Sequence, residues 1–74
     1  MDTISNRELA AALGLHYSFV SRLRRGLRIP GRETMLKVAD YYELDEQDLA
    51  EWGMAIHRGG PEGSRQWLSN KLGW

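Results

Sequence analysis

Apolar residues near the start of the chain recur at helical spacing. Leu9, Ala10 and Leu13 fall on one side of a helix, and Gly14 ends the pattern, as expected of a C-cap with positive φ. Residues 5–8 read Ser-Asn-Arg-Glu, the spacing at which a serine and a glutamate cap each other's backbone amides. The pattern predicts a first helix that begins at this capping box and ends at Gly14.

A second helix is predicted from about Tyr17 to Arg25, closed by Gly26 and separated from the first by only three residues. His16 stands where its N-cap belongs, although serine or asparagine caps a helix better. Two interpretations are open: either the cap is weak, or the imidazole ring has another purpose.

A third helix is predicted from about Arg32 to Tyr42, after Pro30 and Gly31. It carries a broad apolar stripe that we assign to the core. The stripe consists of Met35, Leu36, Val38, Ala39 and Tyr42.

The remainder of the chain predicts two further helices. Residues 44–49 combine a hydrophobic staple with an N-cap and open a fourth helix that runs toward His57 and is weakened at Gly53. A break is expected at residues 58–60, and Pro61 fits the first turn of a fifth helix. Because no strand pattern appears, the predicted fold class is all-α, a small bundle of about five helices.

The composition narrows the class of protein. The 74 residues fit a single small domain, residues 1–74. There is no cysteine, and His16 and His57 are too few and too far apart for a zinc site, so we expect neither metal nor cofactor. Residues 1–4 are not basic, and no apolar run reaches the roughly 18 residues of a membrane span. We therefore expect a soluble, cytoplasmic protein with no membrane partner.

The net charge of zero conceals a polarity along the chain. Residues 1–32 carry six arginines against two acids, which gives +4. Residues 33–57 carry one lysine against seven acids, which gives −6, and residues 58–74 carry +2. Segregated, solvated helix faces produce such a distribution, and so does a polyanion-binding surface in the N-terminal part.

Spacing distinguishes the first two helices from an ordinary helical hairpin. Ala10, Gly14 and Val20 stand at i, i+4 and i+10: a small residue permits a close crossing, glycine makes the turn, and a β-branched residue fills the space beneath. The segments ELAAALGL and VSRLRRG, which carry these residues, resemble the phage repressor and Cro family of helix-turn-helix proteins. The similarity covers roughly residues 5–52.

This resemblance implies a lambda repressor-like fold and a transcriptional regulator that binds a specific double-stranded DNA operator. Residues 5–26 then form the helix-turn-helix, residues 31–57 the supporting helices and residues 58–74 a C-terminal helical extension. We expect a phage Cro or repressor-type protein.

The second helix has one packed and one free side when its residues are placed at 100° intervals. Leu23 and Leu27 lie within about 60° of Val20, whereas Arg22 and Arg25 point to the opposite side. In the family this helix enters the major groove, where Arg22 can donate two hydrogen bonds to guanine. The predicted base-reading residues are His16, Tyr17, Ser18, Ser21 and Arg22.

Phosphate contacts are expected around this helix. Asn6 and its neighbouring amides at the start of the first helix should receive a phosphate, as the resemblance implies. Arg25, Arg28 and Arg32 extend this set. Arg24 lies nearer the packed side and is expected to pair with an acid, so we leave it out.

The chain departs from the family pattern at its beginning. Repressor-type domains usually carry a further helix before the motif, whereas only residues 1–4 precede it here, which would expose Leu9 and Leu13. The apolar C-terminal extension can cover them by folding back within the same chain, which we favour. It can also pair with a second chain in a homodimer.

Other classes of function fit the sequence less well. An enzyme acting on a small-molecule substrate is disfavoured because His16 and Ser18 lack a third orienting group, and no phosphate cradle or carboxylate pair appears. A protein-binding module that uses the three tryptophans as anchors on a helix-turn-helix scaffold is the alternative. The DNA-binding fragment of a longer repressor is a further one.

Overall fold

Four helices follow one another in the computed structural model, which describes residues 4–74. α1 spans Asn6–Leu13, α2 Tyr17–Arg24, α3 Arg32–Tyr42 and α4 Glu46–Leu72. No strand occurs in residues 4–74, so the predicted all-α class is confirmed. None of these helices is both long and apolar enough to cross a membrane. The prediction that no helix precedes the motif falls on residues 1–3, which lie outside the described part.

The predicted break at residues 58–60 is present but confined to a single residue, so residues 4–74 form four helices rather than about five. Gly60 has φ 59° and ψ −142°, and the chain is helical on both sides of it. Pro61 follows directly, where its fixed φ suits a first helical turn and its missing N–H loses no bond. α4 therefore has an N-terminal arm, residues 46–59, and a C-terminal arm, residues 61–72.

The two arms of α4 pack closely and form what we call the α4 hairpin. A Cβ atom on Gly63 would lie 2.2 Å from the carbonyl oxygen of Ala55, so only glycine permits this approach. The rings of Trp52 and Trp67 stack with centroids 5.6 Å apart and planes 4° from parallel. The buried Trp52 indole donates from Nε1 to Ser64 Oγ at 2.9 Å, so its polar atom is satisfied inside the core.

The core forms where all four helices meet. Leu68 of the C-terminal arm is fully buried in the same cluster as Leu9 of α1 and Val38 of α3. The favoured prediction, that the C-terminal extension folds back within its own chain, is thereby confirmed. The other buried members of the cluster are Ala10, Leu13, Val20, Leu23 and Trp52.

Helix ends follow the predicted caps. Ser5 Oγ accepts from the backbone N–H of Glu8 at 3.1 Å, and the Glu8 carboxylate accepts from the Ser5 N–H at 3.3 Å. Gly14 ends α1 with φ 68°. A second capping box joins Asp45 and Asp48 at the start of α4, where the Asp45 carboxylate accepts at 2.8 Å. These local signals determine where α1 begins and ends and where α4 begins.

Two apolar residues assigned to the packed side are instead exposed. Leu27 is 61% exposed because α2 ends at Arg24, and Gly26, with φ 73°, turns the chain away from the helix axis. Leu36 is 47% exposed because it lies about 200° around α3 from the buried Val38. The core-facing stripe of α3 is therefore narrower than its sequence suggests.

Candidate nucleic-acid interface

α2 buries one side and exposes the other, as predicted. Val20 and Leu23 are fully buried in the core. On the opposite side Arg22 and Arg25 are exposed, and Tyr17, the first residue of the helix, is 46% exposed. Since α2 contains no acidic residue, its free side offers hydroxyl and guanidinium groups to a ligand without a competing negative charge.

His16 caps α2 through its imidazole ring. Nδ1 accepts the backbone N–H of Ser18 at 3.1 Å and lies 2.8 Å from the Ser18 hydroxyl oxygen. Because Nδ1 accepts, the neutral ring carries its proton on Nε2, which leaves an N–H to donate. The ring also stacks on Tyr17 with centroids 5.1 Å apart. The sequence left open whether His16 is a weak cap or has another purpose. In the structure His16 forms the cap, and its ring also contacts Tyr17 and Ser18.

Arg7 reaches the same end of α2 from α1. Its guanidinium carbon lies 4.7 Å from the centroid of the Tyr17 ring, a cation–π distance. Arg7 is missing from the predicted site because helical periodicity does not link it to Tyr17, which lies ten positions later in a different helix. The turn at residues 14–16 brings the two side chains together. The available signal was that Arg7 is the one cation in α1.

Among residues 4–74, Arg24 pairs with no acid and binds neutral oxygen atoms instead of the acid expected from the sequence. Its Nη1 donates to the backbone oxygen of Ile4 at 2.7 Å and to Oδ1 of Asn6 at 2.8 Å. Its guanidinium carbon also lies 4.9 Å from the centroid of the Trp74 ring. The reason is that the packed side of α2 faces the start of α1, where the backbone oxygen of Ile4 and the side-chain oxygen of Asn6 accept its hydrogen bonds.

The predicted phosphate-contacting arginines lie in different surroundings. Arg25 is exposed, and its Nε donates to the backbone oxygen of Ser21 at 3.4 Å. Arg28 is exposed beside the same helix, with its guanidinium carbon 5.1 Å from the Phe19 ring centroid. Arg32 is exposed at the start of α3, where it lines a groove to which α2 contributes no residue. The structure thus gathers two of the three arginines at α2.

That groove, of about 590 Å³, lies between α3 and the N-terminal arm of α4. Arg32 and Glu46 contribute one charge of each sign to its lining. The other lining residues are uncharged: Met35, Leu36, Leu49, Ala50 and Gly53. The groove is therefore a second surface, with a mostly uncharged lining to which α2 contributes no residue.

The C-terminal arm places an ion pair beside the end of α2. Glu62 and Arg65 pair one turn apart, and a Cβ on Gly26 would lie 2.7 Å from Oε1 of Glu62. The hydrogen bond from Arg65 lowers the pKa of Glu62, and Glu62 in turn raises the pKa of Arg65. The Glu62 charge is thus compensated within its own helix, next to the basic end of α2.

Comparison with known families agrees with this geometry. The profile of the helix-turn-helix family HTH_3 matches residues 3–49, which include α1, α2, α3 and the first residues of α4. No curated protein and no solved structure matches the chain. Since the profile covers more than half of the 74 residues, the chain belongs to the helix-turn-helix family HTH_3 and is a DNA-binding regulator of the lambda repressor/Cro-like kind.

Proposed function

We propose that this protein binds a specific double-stranded DNA operator with α2 in the major groove and regulates transcription from it. The observation that carries this proposal is the acid-free exposed side of α2. Val20 and Leu23 anchor that helix in the core, whereas Tyr17, Arg22 and Arg25 remain exposed. A helix fixed on one side and basic on the other suits the groove of a polyanionic duplex.

The proposed base-reading set comes from the first turns of α2 and the residue that caps it. Arg22 donates two hydrogen bonds to guanine O6 and N7, and His16 offers its Nε2–H. Ser18 and Ser21 donate or accept at base edges, and the Tyr17 ring packs against a thymine methyl group. The His16 cap supports this assignment because its ring contacts both Tyr17 and Ser18 at the start of the helix.

The proposed phosphate contacts surround this set. Arg25 and Arg28 lie exposed beside α2, and Asn6 stands at the start of α1, where helix amides favour an anion. Arg32 extends the basic surface at the start of α3. Arg7 joins them, because its contact with Tyr17 holds a guanidinium beside the proposed reading end of α2.

We further propose that two copies of the chain bind half-sites about 34 Å apart, as a two-fold dimer. The support is the exposed groove between α3 and α4, where Leu36 is 47% exposed. Apart from Arg32 and Glu46 the groove has an uncharged lining, which a second copy related by a two-fold axis can cover. Such a protein acts as a phage Cro or repressor-type regulator in the bacterial cytoplasm. Leu36→Glu is expected to shift sedimentation to the monomer.

The alternative of a protein-binding module has less support. Trp52 is fully buried, and Trp67 and Trp74 pack against the core, so the three tryptophans are engaged within the chain rather than presented as anchors. A DNA-binding role for this segment within a longer repressor is compatible with the proposal. We also propose that the chain carries no catalytic activity, in keeping with its family.

Selection of bound duplexes from a random pool tests the proposal. We expect a consensus sequence with repeated half-sites, and an affinity that falls linearly with salt on logarithmic axes. Arg22→Ala should cost about 1–3 kcal/mol on the consensus and relax the preference at one base pair. Arg28→Ala should weaken all duplexes alike and reduce the salt slope by about 1.

Arg58→Ala serves as the matched control, since Arg58 is an exposed arginine of α4 rather than of the proposed interface. Equal affinity of the wild-type protein for consensus and scrambled duplexes would contradict specific recognition. Retention of full base preference in Arg22→Ala would remove Arg22 from the base-reading set.

A further inference from the structure

We propose that Arg24 and Trp74 form a latch that orients the side chain of Asn6 for a phosphate contact. The two latch residues come from the end of α2 and from the residue that follows the C-cap of α4. This inference deepens the proposed function and rests on it for the role of Asn6. It assigns part of DNA recognition to a segment that lies outside the helix-turn-helix.

Arg24 sets the orientation of the Asn6 amide. The Nη1 atom of Arg24 carries two protons and gives them to two acceptors, Ile4 O at 2.7 Å and Asn6 Oδ1 at 2.8 Å. A guanidinium group only donates, so the Asn6 atom that faces it has to be the oxygen. The two N–H bonds of the Asn6 amide are therefore directed away from Arg24.

A DNA phosphate requires a hydrogen-bond donor from Asn6. Phosphate oxygens only accept hydrogen bonds, so an asparagine can bind them through its nitrogen but is repelled through its oxygen. A freely rotating amide presents either atom. Arg24 removes the unfavourable orientation before DNA arrives, and a donor that is already ordered loses less conformational entropy on binding. The positive end of the α1 dipole favours the same anion.

Trp74 in turn supports Arg24. The Trp74 ring lies 4.9 Å from its guanidinium carbon and covers one face of that group. Trp74 is held at two points: its Nε1 donates to the Tyr42 hydroxyl at 3.1 Å, and its backbone oxygen accepts from Ser69 Oγ at 3.3 Å. The half-buried Arg24 is thus confined between the indole and the start of α1.

Arg24 is consequently a positioning residue, distinct from the exposed arginines of the same helix. Its donors point to protein oxygen atoms and its face rests on an aromatic ring, whereas Arg22 and Arg25 are exposed. Arg24 therefore affects DNA binding through the orientation of Asn6 rather than through its own charge.

The test measures affinity of the full chain for the duplex selected from the random pool, at several salt concentrations. Asn6→Ala and Arg24→Met should each weaken binding roughly tenfold, because each removes one oriented phosphate contact. The double variant should be no weaker than either single one. Trp74→Leu should weaken binding roughly threefold, and Arg24→Lys, which still donates, should restore much of the loss. In Arg24→Met the salt slope should stay unchanged, since no cation–phosphate contact is lost.

Two controls separate the latch from stability. Val38→Ala destabilises the core without touching the latch, and its affinity at matched folded fraction should equal that of the wild-type protein. In the free protein, the Asn6 side-chain amide resonances should shift in Arg24→Met and Trp74→Leu. They should not shift in Lys71→Met, which removes an exposed ion pair elsewhere in α4.

Three results would each overturn the latch: additive losses in the double variant, a salt slope reduced by about 1 in Arg24→Met, and unchanged Asn6 amide resonances. A reduced slope would mean that Arg24 contacts phosphate itself. Absence of salt-dependent duplex binding by the wild-type chain would instead refute the proposed function. The amide resonances would still decide whether Arg24 and Trp74 orient Asn6.

Discussion

The molecule contains two helical hairpins, and glycine has a different purpose in each. In the helix-turn-helix, Gly14 joins α1 to α2 with φ 68°, and a Cβ atom there would meet nothing within 4 Å. In the α4 hairpin, Gly63 is helical, and a Cβ atom would lie 2.2 Å from the Ala55 carbonyl oxygen. Gly14 is required by its left-handed backbone conformation, whereas Gly63 is required because there is no space for a side chain. A strained turn tolerates substitution at moderate cost, whereas a close backbone crossing does not.

The two hairpins also differ in what they leave exposed. The helix-turn-helix keeps one side of α2 free, with Tyr17 and Arg22 exposed. The α4 hairpin directs Trp52 and Leu68 into the core, where both are fully buried. Substitutions in the first hairpin are therefore expected to change DNA recognition directly. Those inside the second should act through the folded fraction, apart from the latch at Trp74.

The largest expected effect is that of Gly63→Ala. The new methyl group would meet the helix backbone at Ala55, which cannot rotate aside, so we expect a loss of at least about 3 kcal/mol in the free energy of unfolding. Urea denaturation followed by far-UV circular dichroism measures it. Gly53→Ala is the matched control in the same helix: nothing lies within 4 Å, and stability should rise by up to about 1 kcal/mol. Wild-type stability of Gly63→Ala would show that the arms do not cross here.

A pair of serine substitutions sharpens the difference between the hairpins. Ser64→Ala should lower the free energy of unfolding by about 1–3 kcal/mol, because the buried Nε1–H of Trp52 loses its acceptor. Ser21→Ala, at the flank of α2, should change stability by less than about 0.5 kcal/mol. Base preference, measured on the selected duplex and its single-base variants, should change only in Ser21→Ala. The reverse pattern would exchange the roles assigned to the two hairpins.

Signals between close neighbours in sequence predicted helix ends correctly. The Ser5–Glu8 box, Gly14 and the Gly60–Pro61 break depend on atoms within about four residues, so their geometry is fixed locally. The exposed side of α2 was predicted for the same reason, since 100° per residue defines it once Val20 is inward. Leu27 is the exception in α2. The spacing of 100° per residue does not apply to it, because the helix ends before Gly26.

Contacts between distant residues could not be predicted in this way. Arg7 and Tyr17 meet across a turn, and Arg24 and Trp74 meet across fifty residues, because tertiary packing brings four helices together. The need for glycine at position 63 is equally invisible, since nothing in helical periodicity shows which carbonyl oxygen will approach it. The assignments of individual bases and phosphates remain predictions for the selection experiment.

Gly14→Ala should have a moderate effect. Because an L side chain in the left-handed region costs roughly 1–2 kcal/mol and no clash adds to it, we expect a loss within that range. Gly14→Asn should lose less, since asparagine tolerates this conformation better. Thermal unfolding of the three proteins gives the order directly. A loss as large as that of Gly63→Ala would mean that the turn, too, is limited by space.

The smallest expected effect concerns an ion pair that ties together the two ends of the α4 hairpin. Lys71 Nζ lies 2.8 Å from Asp48 Oδ1, at the surface. The hydrogen bond from Lys71 lowers the pKa of Asp48 below its ordinary value of 3.8, and Asp48 raises the pKa of Lys71 above 10.5. Asp48 therefore contributes stability above 3.8 that is lost as the pH falls through its lowered pKa. Lys71 contributes stability below 10.5 that is lost as the pH rises through its raised pKa.

Lys71→Met should accordingly flatten the decline of the melting temperature at both ends of the pH range. The effect should be larger at low salt, because salt screens an ion pair at the surface. Melting curves recorded across pH at two salt concentrations measure this effect. The corresponding contact across the helix-turn-helix, Arg7 on the Tyr17 ring, contains no carboxylate, so Arg7→Met should leave the acid limb of the profile unchanged. Parallel profiles for Lys71→Met and the wild-type protein would show that the arms of α4 are held together by their apolar contacts and the Trp52–Ser64 hydrogen bond, without help from their charges.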